Sequence, residues 1–152
     1  MKKGFTLIEL LVVIAIIAIL AGIVIIAVNP ARQIALARNA QRRADVLTLL
    51  NASHQYFIDN GRFPVGINDK YHLLGTDTGC NIACGNWTLE GVCLNLTTFL
   101  VPTYISAIPF DPQGSAEKTG YALVKDAATN RLTVRACLTE IPPADKIIEV
   151  TR

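Results

Sequence analysis

The sequence predicts an α+β protein: a long N-terminal helix, apolar in its first half and amphipathic in its second, with a small antiparallel β-sheet head packed on its C-terminal half. Three observations predict it. Residues 10–28 carry no ionisable side chain and run without a turn signal into a polar, periodic stretch. The hexapeptide DNGRFP, residues 59–64, then stops the helix. Near the C-terminus, two β-branched runs flank the polar pentapeptide DAATN, which is the pattern of a hairpin.

The first element is membrane-like. At ~1.5 Å per residue, a helix over residues 5–28 spans roughly 36 Å, enough for a ~30 Å hydrocarbon core with some tilt. A secretory signal peptide fits less well, because its apolar region is shorter and ends at a small-residue cleavage site. Glu9 is the anomaly. A carboxylate at the centre of a spanning helix costs about 2.5–3.5 kcal/mol and less near the interface, so one turn inside the apolar run it needs a partner. Lys2 and Lys3 can supply one within the chain; a positive charge from another molecule is the alternative. Ala15, Ala18 and Gly22 form a stripe of small residues where helices can approach closely, although such residues are common in spanning helices.

These residues carry a resemblance. KKGFTLIELLVVIAIIAIL closely resembles the class III signal and N-terminal helix of bacterial type IV prepilins and of the pseudopilins of type II secretion. The resemblance covers about thirty residues (a basic leader, Gly4, Phe5, Glu9 and an uninterrupted apolar run). It implies a type IV pilin-like fold with a leader at 1–4, a transmembrane and assembly helix at 5–29, an amphipathic helix at 30–60 and a β-rich head at 61–152. It also implies cleavage between Gly4 and Phe5 by a prepilin peptidase on the cytoplasmic side, methylation of the Phe5 amine, and contact of Glu9 with the Phe5 amine of a neighbouring subunit. Charge physics agrees. Cleavage removes Lys2 and Lys3 and creates an amine four residues from Glu9, and unlike charges pair far more strongly in an apolar setting than in water. A subunit in the wrong axial register would strand the carboxylate.

The chain departs from many type IV pilins in placing its proline at Pro30 rather than nearer the middle of the apolar run. Pro30 removes an amide donor and crowds the carbonyl of Ile26, so a kink or break is expected near residues 26–30. Arg32, Arg38, Arg42 and Arg43 outnumber the leader lysines, and the positive-inside rule alone would place the C-terminal side in the cytoplasm. Long domains translocate largely regardless of charge, and four cysteines suit the outside, so we expect the opposite orientation.

In the second half of the helix, Leu36, Ala40, Arg43, Leu47, Leu50, His54 and Phe57 alternate by four and three residues and predict the buried face. Arg42 and Asp45 are spaced for an i,i+3 ion pair. His54 reads as a packing residue. The arginines make DNA a weak candidate partner, since interleaved aromatics and a strongly basic head are missing. Gly61 suits a left-handed cap and Pro64 prevents resumption of the helix; pilins and major pseudopilins end their long helix on a similar segment. Residues 65–98 read as an irregular, cysteine-tied connection with one strand, and Leu96 to Tyr104 as a short helix or turn. IPFDPQG is a tight loop. TGYALVK and RLTVRACL are the hairpin strands, and KIIEVTR is a candidate edge strand.

Cys80, Cys84, Cys93 and Cys137 all lie in the head. An even number in a small domain behind a membrane segment favours disulfides in an oxidising compartment, and the spacing fits a zinc site poorly. Three pairings are open and the spacing selects none. We expect Cys80–Cys84 with Cys93–Cys137, the second bridge tying the last hairpin strand to the middle of the head.

The 152 residues carry a formal charge of +2, which gives no argument for nucleic acid or an acidic substrate. There is no H-E-x-x-H and no G-x-S-x-G. In the phosphate-loop-like GRFPVG, Ile67 and Asn68 replace the required Lys and Ser or Thr. Asp111 and Asp126 lack a dense oxygen-ligand pattern and read as turn carboxylates rather than calcium ligands. Asn51, Asn86 and Asn95 sit in N-x-[ST] patterns of little weight. We therefore expect no enzyme, cofactor or metal. The expected function is a structural subunit of a type IV pilus-like filament, held as a single-pass prepilin in the inner membrane with its N-terminus in the cytoplasm. Its expected partners are copies of itself, the prepilin peptidase and methyltransferase, an inner-membrane assembly platform and, before assembly, lipid. The alternatives are a pseudopilin of a type II secretion or competence system, a membrane-tethered binding domain that never polymerises, and a tethered thiol oxidoreductase with reactive Cys80 or Cys84.

Overall fold

The computed structural model describes residues 4–140 and 147–152. The chain forms two compact units, Met1–Ala35 and Leu36–Arg152.

The first unit is helical. Helix α1, Leu7–Val28, begins at the N-cap Thr6 and ends where Asn29 turns left-handed, with φ 46°. A run this rich in β-branched residues is a mediocre helix former in water. In lipid the helix is favoured because every backbone donor must find its acceptor within the segment. The expected break is present, with a different local cause. Helix α2, Pro30–Asn60, starts on the proline itself, where the missing amide donor costs nothing, and the residue before a proline is disfavoured in the helical region. Asn29 serves both helices: it is the C-cap of α1, and its side-chain oxygen accepts from Arg32 N at 3.3 Å.

The second unit is an α+β layer. Strands β1 (His72–Gly75), β2 (Lys118–Lys125), β3 (Leu132–Ala136) and β4 (Ile148–Thr151) form one antiparallel sheet in the order β1-β2-β3-β4. The hairpin and the C-terminal edge strand are those expected, and the short helix α3, Thr97–Leu100, lies within the expected 96–104. Period-2 alternation gives the sheet two faces. Tyr121, Leu123, Leu132, Val134, Ala136 and Ile148 face a core shared with Val46, Leu49 and Leu50 of α2. Leu73 and Ala122 point the other way, into a second cluster with Cys80 and Cys84. Gly61, at φ 69°, ends α2, its amide donating to Phe57 O at 2.8 Å.

The buried face of α2 differs from the expected stripe. Asn39, Arg42, Val46, Leu49, Leu50 and Ser53 are buried. Leu36, Ala40, Arg43 and Leu47 are exposed, whereas Leu50 is buried and His54 and Phe57 half-buried. The polar residues explain the rotation. Arg42 does not pair with Asp45; its guanidinium bonds both carboxylate oxygens of Asp111, and also Glu140, Asn39 and Gln113. Asp45 instead accepts from the Tyr121 hydroxyl at 2.6 Å. Asp111 is thus a buried ion-pair partner as well as a turn residue, while Asp126 is the turn carboxylate expected, its Oδ1 accepting from Ala128 N, Thr129 N and Thr129 Oγ1.

The disulfide pairing also differs. Cys80 bonds Cys93, with Cα atoms 5.2 Å apart, and Cys84 bonds Cys137, with Cα atoms 4.3 Å apart. The reason is the doubling back of residues 76–95 over the outer face of the sheet. Cys80 N donates to Gly91 O at 2.9 Å and Cys93 N to Asp77 O at 3.2 Å, which sets Cys80 against Cys93 and leaves Cys84 over the end of β3. The residue after β3 is tied to the middle of the head, but through Cys84.

Candidate functional site

The residues singled out around Gly4, Phe5 and Glu9 lie where α1 begins. Gly4 is exposed, and a Cβ added to it would meet no atom within 4 Å. Nothing in the packing of the described residues therefore demands glycine there. Phe5 is 85% exposed.

Glu9 is held by Thr6. Its Oε2 accepts from Thr6 N at 3.0 Å and from Thr6 Oγ1 at 2.8 Å, while Glu9 N donates back to Thr6 Oγ1 at 3.3 Å. This is a reciprocal capping box, which satisfies two amide donors that a helix N-terminus otherwise leaves open. The positive end of the helix dipole adds a smaller favourable field. Thr6 is a partner that the expected lysine tether leaves out, although T-x-x-E before an apolar run is its signature. The tether to Lys2 and Lys3 lies outside the described residues. Both bonds that the Glu9 carboxylate accepts among the described residues fall on Oε2, so Oε1 keeps its accepting capacity for a further donor.

Beyond Glu9, α1 is an apolar cylinder with no buried residue, and Leu7–Val28 is long and apolar enough to cross a membrane. A 22-residue helix is about 33 Å long at ~1.5 Å per residue. Exposed apolar surface on this scale marks a membrane or a protein partner. Gly22, in the small-residue stripe, also has open space around it.

The cysteines expected to act together do not form one pair. All four are in disulfides, with Cys80 and Cys84 on different partners. A reactive thiol at either position, which the oxidoreductase alternative needs, has no counterpart in this arrangement. Among the described residues, no group of three or more His, Cys, Asp or Glu is placed to hold a metal ion. His54 packs edge-on against Phe63 with ring centroids 5.5 Å apart, and its Nε2 is buried without a partner among the described residues.

Residues 1–25 match the family described as the prokaryotic N-terminal methylation motif. No curated protein and no solved structure matches the chain significantly. The motif and the apolar helix are consistent with a type IV pilin-like class III signal, and the α+β architecture is consistent with a type IV pilin fold.

Proposed function

We propose that the chain is a structural subunit of a type IV pilus-like filament, stored in the inner membrane, cut between Gly4 and Phe5, methylated at Phe5 and polymerised through α1. The observation that carries this reading is Glu9, a carboxylate at the head of a helix with no buried residue, with one oxygen capped by Thr6. In an apolar setting a carboxylate without a cation is costly. The new Phe5 amine of a neighbouring copy supplies that cation at the point where helices pack side by side, so each added subunit is held to one axial register. The partners on this reading are the prepilin peptidase and methyltransferase, an inner-membrane assembly platform and further copies of the chain.

A pseudopilin shares every step up to polymerisation and differs in making a short fibre within the envelope. The two disulfides of the head fit the periplasm and the cell exterior alike, since such bridges persist in both; the preference for the filament rests on the resemblance, in which major pseudopilins usually lack such cysteines. The test is N-terminal peptide mass spectrometry on membrane and on sheared surface material. The filament reading expects chains beginning at methylated Phe5 in both fractions. Processed chains confined to the envelope would indicate the pseudopilin. Chains retaining Met1 to Gly4 and found only in membranes would refute both.

A further inference from the structure

We propose that β4 is a docking edge for an extended segment of another protein, which adds to the sheet as a further strand and sets apolar side chains and one carboxylate against α2. The two edges of the sheet differ. The β1 edge is covered by the doubled-back segment: Leu94 N donates to Leu73 O at 2.8 Å, Gly75 N to Leu94 O at 3.2 Å and Glu90 N to Tyr71 O at 2.9 Å. At the other end of the strand order, β4 pairs with β3 alone. Leu132 and Arg152 exchange both main-chain bonds, at 2.8 and 2.9 Å. Such pairs alternate along an antiparallel ladder. Val150 and Ile148 therefore also turn their main-chain groups to β3, whereas Glu149 and Thr151 turn theirs outward. Among the described residues, these outward amides and carbonyls have no partner.

A cleft runs beside this edge. Ile148 and Val150 turn their side chains to the α2 side of the sheet, Ile148 into the core and Val150 against it. With Ile147 and with Arg43 and Leu47 of α2 they line a space of about 360 Å³. Leu47 is 45% and Ile147 46% exposed. Arg43 and Leu47 belong to the stripe that the four-and-three spacing marks for burial, and the described residues of the head leave it uncovered. A strand added ~4.8 Å from β4 occupies this cleft.

The chemistry of the edge selects the occupant. Outward N–H and C=O groups two residues apart are matched by another extended main chain, and alternate side chains of the added strand supply specificity. Those facing α2 meet Leu47, Ile147 and Val150, which call for apolar residues. The uncompensated charge in the cleft is positive. Arg43 forms no ion pair among the described residues, whereas Glu149 is held by Arg135, so one acidic residue among the apolar ones is matched. A second copy of the chain fits less well. Antiparallel pairing of two β4 edges, with α2 layered on the sheet, makes the two α2 helices run in opposite directions. Copies anchored in one membrane, on the reading above, run the same way. Parallel pairing puts the two α2 helices on opposite faces and sets Glu149 and Thr151 of each copy, rather than apolar side chains, in the other's cleft.

The test uses the full chain in lipid nanodiscs, with empty nanodiscs as the blank. Fluorescein-labelled heptapeptides are titrated against it by anisotropy. Each alternates threonine with valine, isoleucine, leucine or phenylalanine around a central glutamate. At least one is expected to bind saturably. N-methylation of one alternate set of its amides is expected to abolish binding and of the other set to spare it, because only one set faces β4. Thr151→Pro removes an outward donor and keeps the bonds to β3; it is expected to weaken binding about tenfold. Leu47→Lys, a change on the exposed side of α2, gives the same test should the proline variant fold poorly. Lysine in place of the peptide's glutamate is expected to weaken binding about threefold, and Arg43→Glu to reverse that preference. Four results would overturn the proposal: no saturable binding by any peptide, affinity unchanged in every variant that folds, loss with both methylated sets or with neither, or dimers of the chain that Thr151→Pro disperses. The last would give the edge to a second copy. The readout requires neither processing nor filament formation, so it stands or fails apart from the filament reading.

Discussion

Arg42 grips both carboxylate oxygens of Asp111, Nε to Oδ2 at 2.6 Å and Nη2 to Oδ1 at 2.9 Å, with both side chains wholly buried. The pair joins the middle of α2 to the loop before β2, and Glu140 extends it to the segment after β3 at 2.9 Å from Nη1. Bidentate pairing of this kind is geometrically demanding as well as strong. It sets the rotation of α2 against the sheet.

Removing one partner of a buried pair leaves an uncompensated charge, at a cost of about 3–5 kcal/mol. Arg42→Met is therefore expected to lower the melting temperature of the head markedly, as followed by circular dichroism in detergent. Arg42→Lys retains the charge but not the fork and is expected to fall between the two. Combining Arg42→Met with Asp111→Asn is expected to recover part of the loss, because no buried charge is then stranded. A double variant no better than Arg42→Met alone would show that packing of the arginine stem, rather than its charge, holds the helix.

The chain's two histidines predict an acid limb of stability above the carboxylate range. Burial lowers His54 below its ordinary 6.5, with the Arg152 charge adding to the shift; burial lowers His72 as well, against the opposing pull of Glu90. Each contributes stability that is full above about pH 6.5 and is lost as the pH falls through the depressed folded value, since the unfolded chain takes up protons first. The melting temperature is expected to decline between pH 7 and 5, and His54→Phe to flatten part of that slope. Glu140 acts lower. Burial raises its carboxyl, but Arg42 and Arg38 together outweigh burial and hold it below the usual 4.5. Its contribution is present above that value and is lost on further acidification, a limb that Glu140→Gln should remove.

Much of the architecture was legible because it rests on local chemistry. The apolar run, the Gly61 cap, the hairpin around DAATN and the C-terminal edge strand each carry their own signal. What was not legible depends on partners distant in sequence. The four-and-three spacing points to Leu36, Ala40, Arg43 and Leu47 for burial, whereas Arg42 and Asn39 are buried because Asp111 and Glu140, some seventy to a hundred residues away, satisfy them. Cysteine spacing could not reveal that residues 76–95 fold back on themselves. The Thr6–Glu9 box is a different case: its T-x-x-E signature is local and stands in the sequence, beside two lysines that offer Glu9 a rival partner.

The disulfides give a chemical check on that folding back. Trypsin and a glutamate-specific protease cut after Lys70, Glu90, Glu117, Arg135 and Glu140, placing Cys80 and Cys84 on one peptide, Cys93 on a second and Cys137 on a third. With Cys80–Cys93 and Cys84–Cys137, all three peptides stay joined until reduced. A Cys80–Cys84 bridge would leave the first peptide alone. The bridges close sequence separations of 13 and 53 residues, so chain entropy assigns them about 3 and about 4 kcal/mol. Replacing Cys84 and Cys137 by alanine is expected to destabilise the head more than replacing Cys80 and Cys93. The opposite ranking would contradict the loop-closure account.

Glu9 supplies the last prediction, because its two roles separate. As a capping partner it supports only the first turn of α1; losing a capping contact costs about 1 kcal/mol, too little to expel a helix of this length from a membrane. As the acceptor for a neighbour's Phe5 amine it would be indispensable. Glu9→Ala is therefore expected to yield chains that insert and begin at methylated Phe5 yet leave no filament in sheared material. Thr6→Val removes the hydroxyl but not the amide of the box and is expected to retain filaments at reduced yield. Filaments at wild-type level from Glu9→Ala would confine the carboxylate to its cap, and the register it is proposed to enforce would have to come from elsewhere.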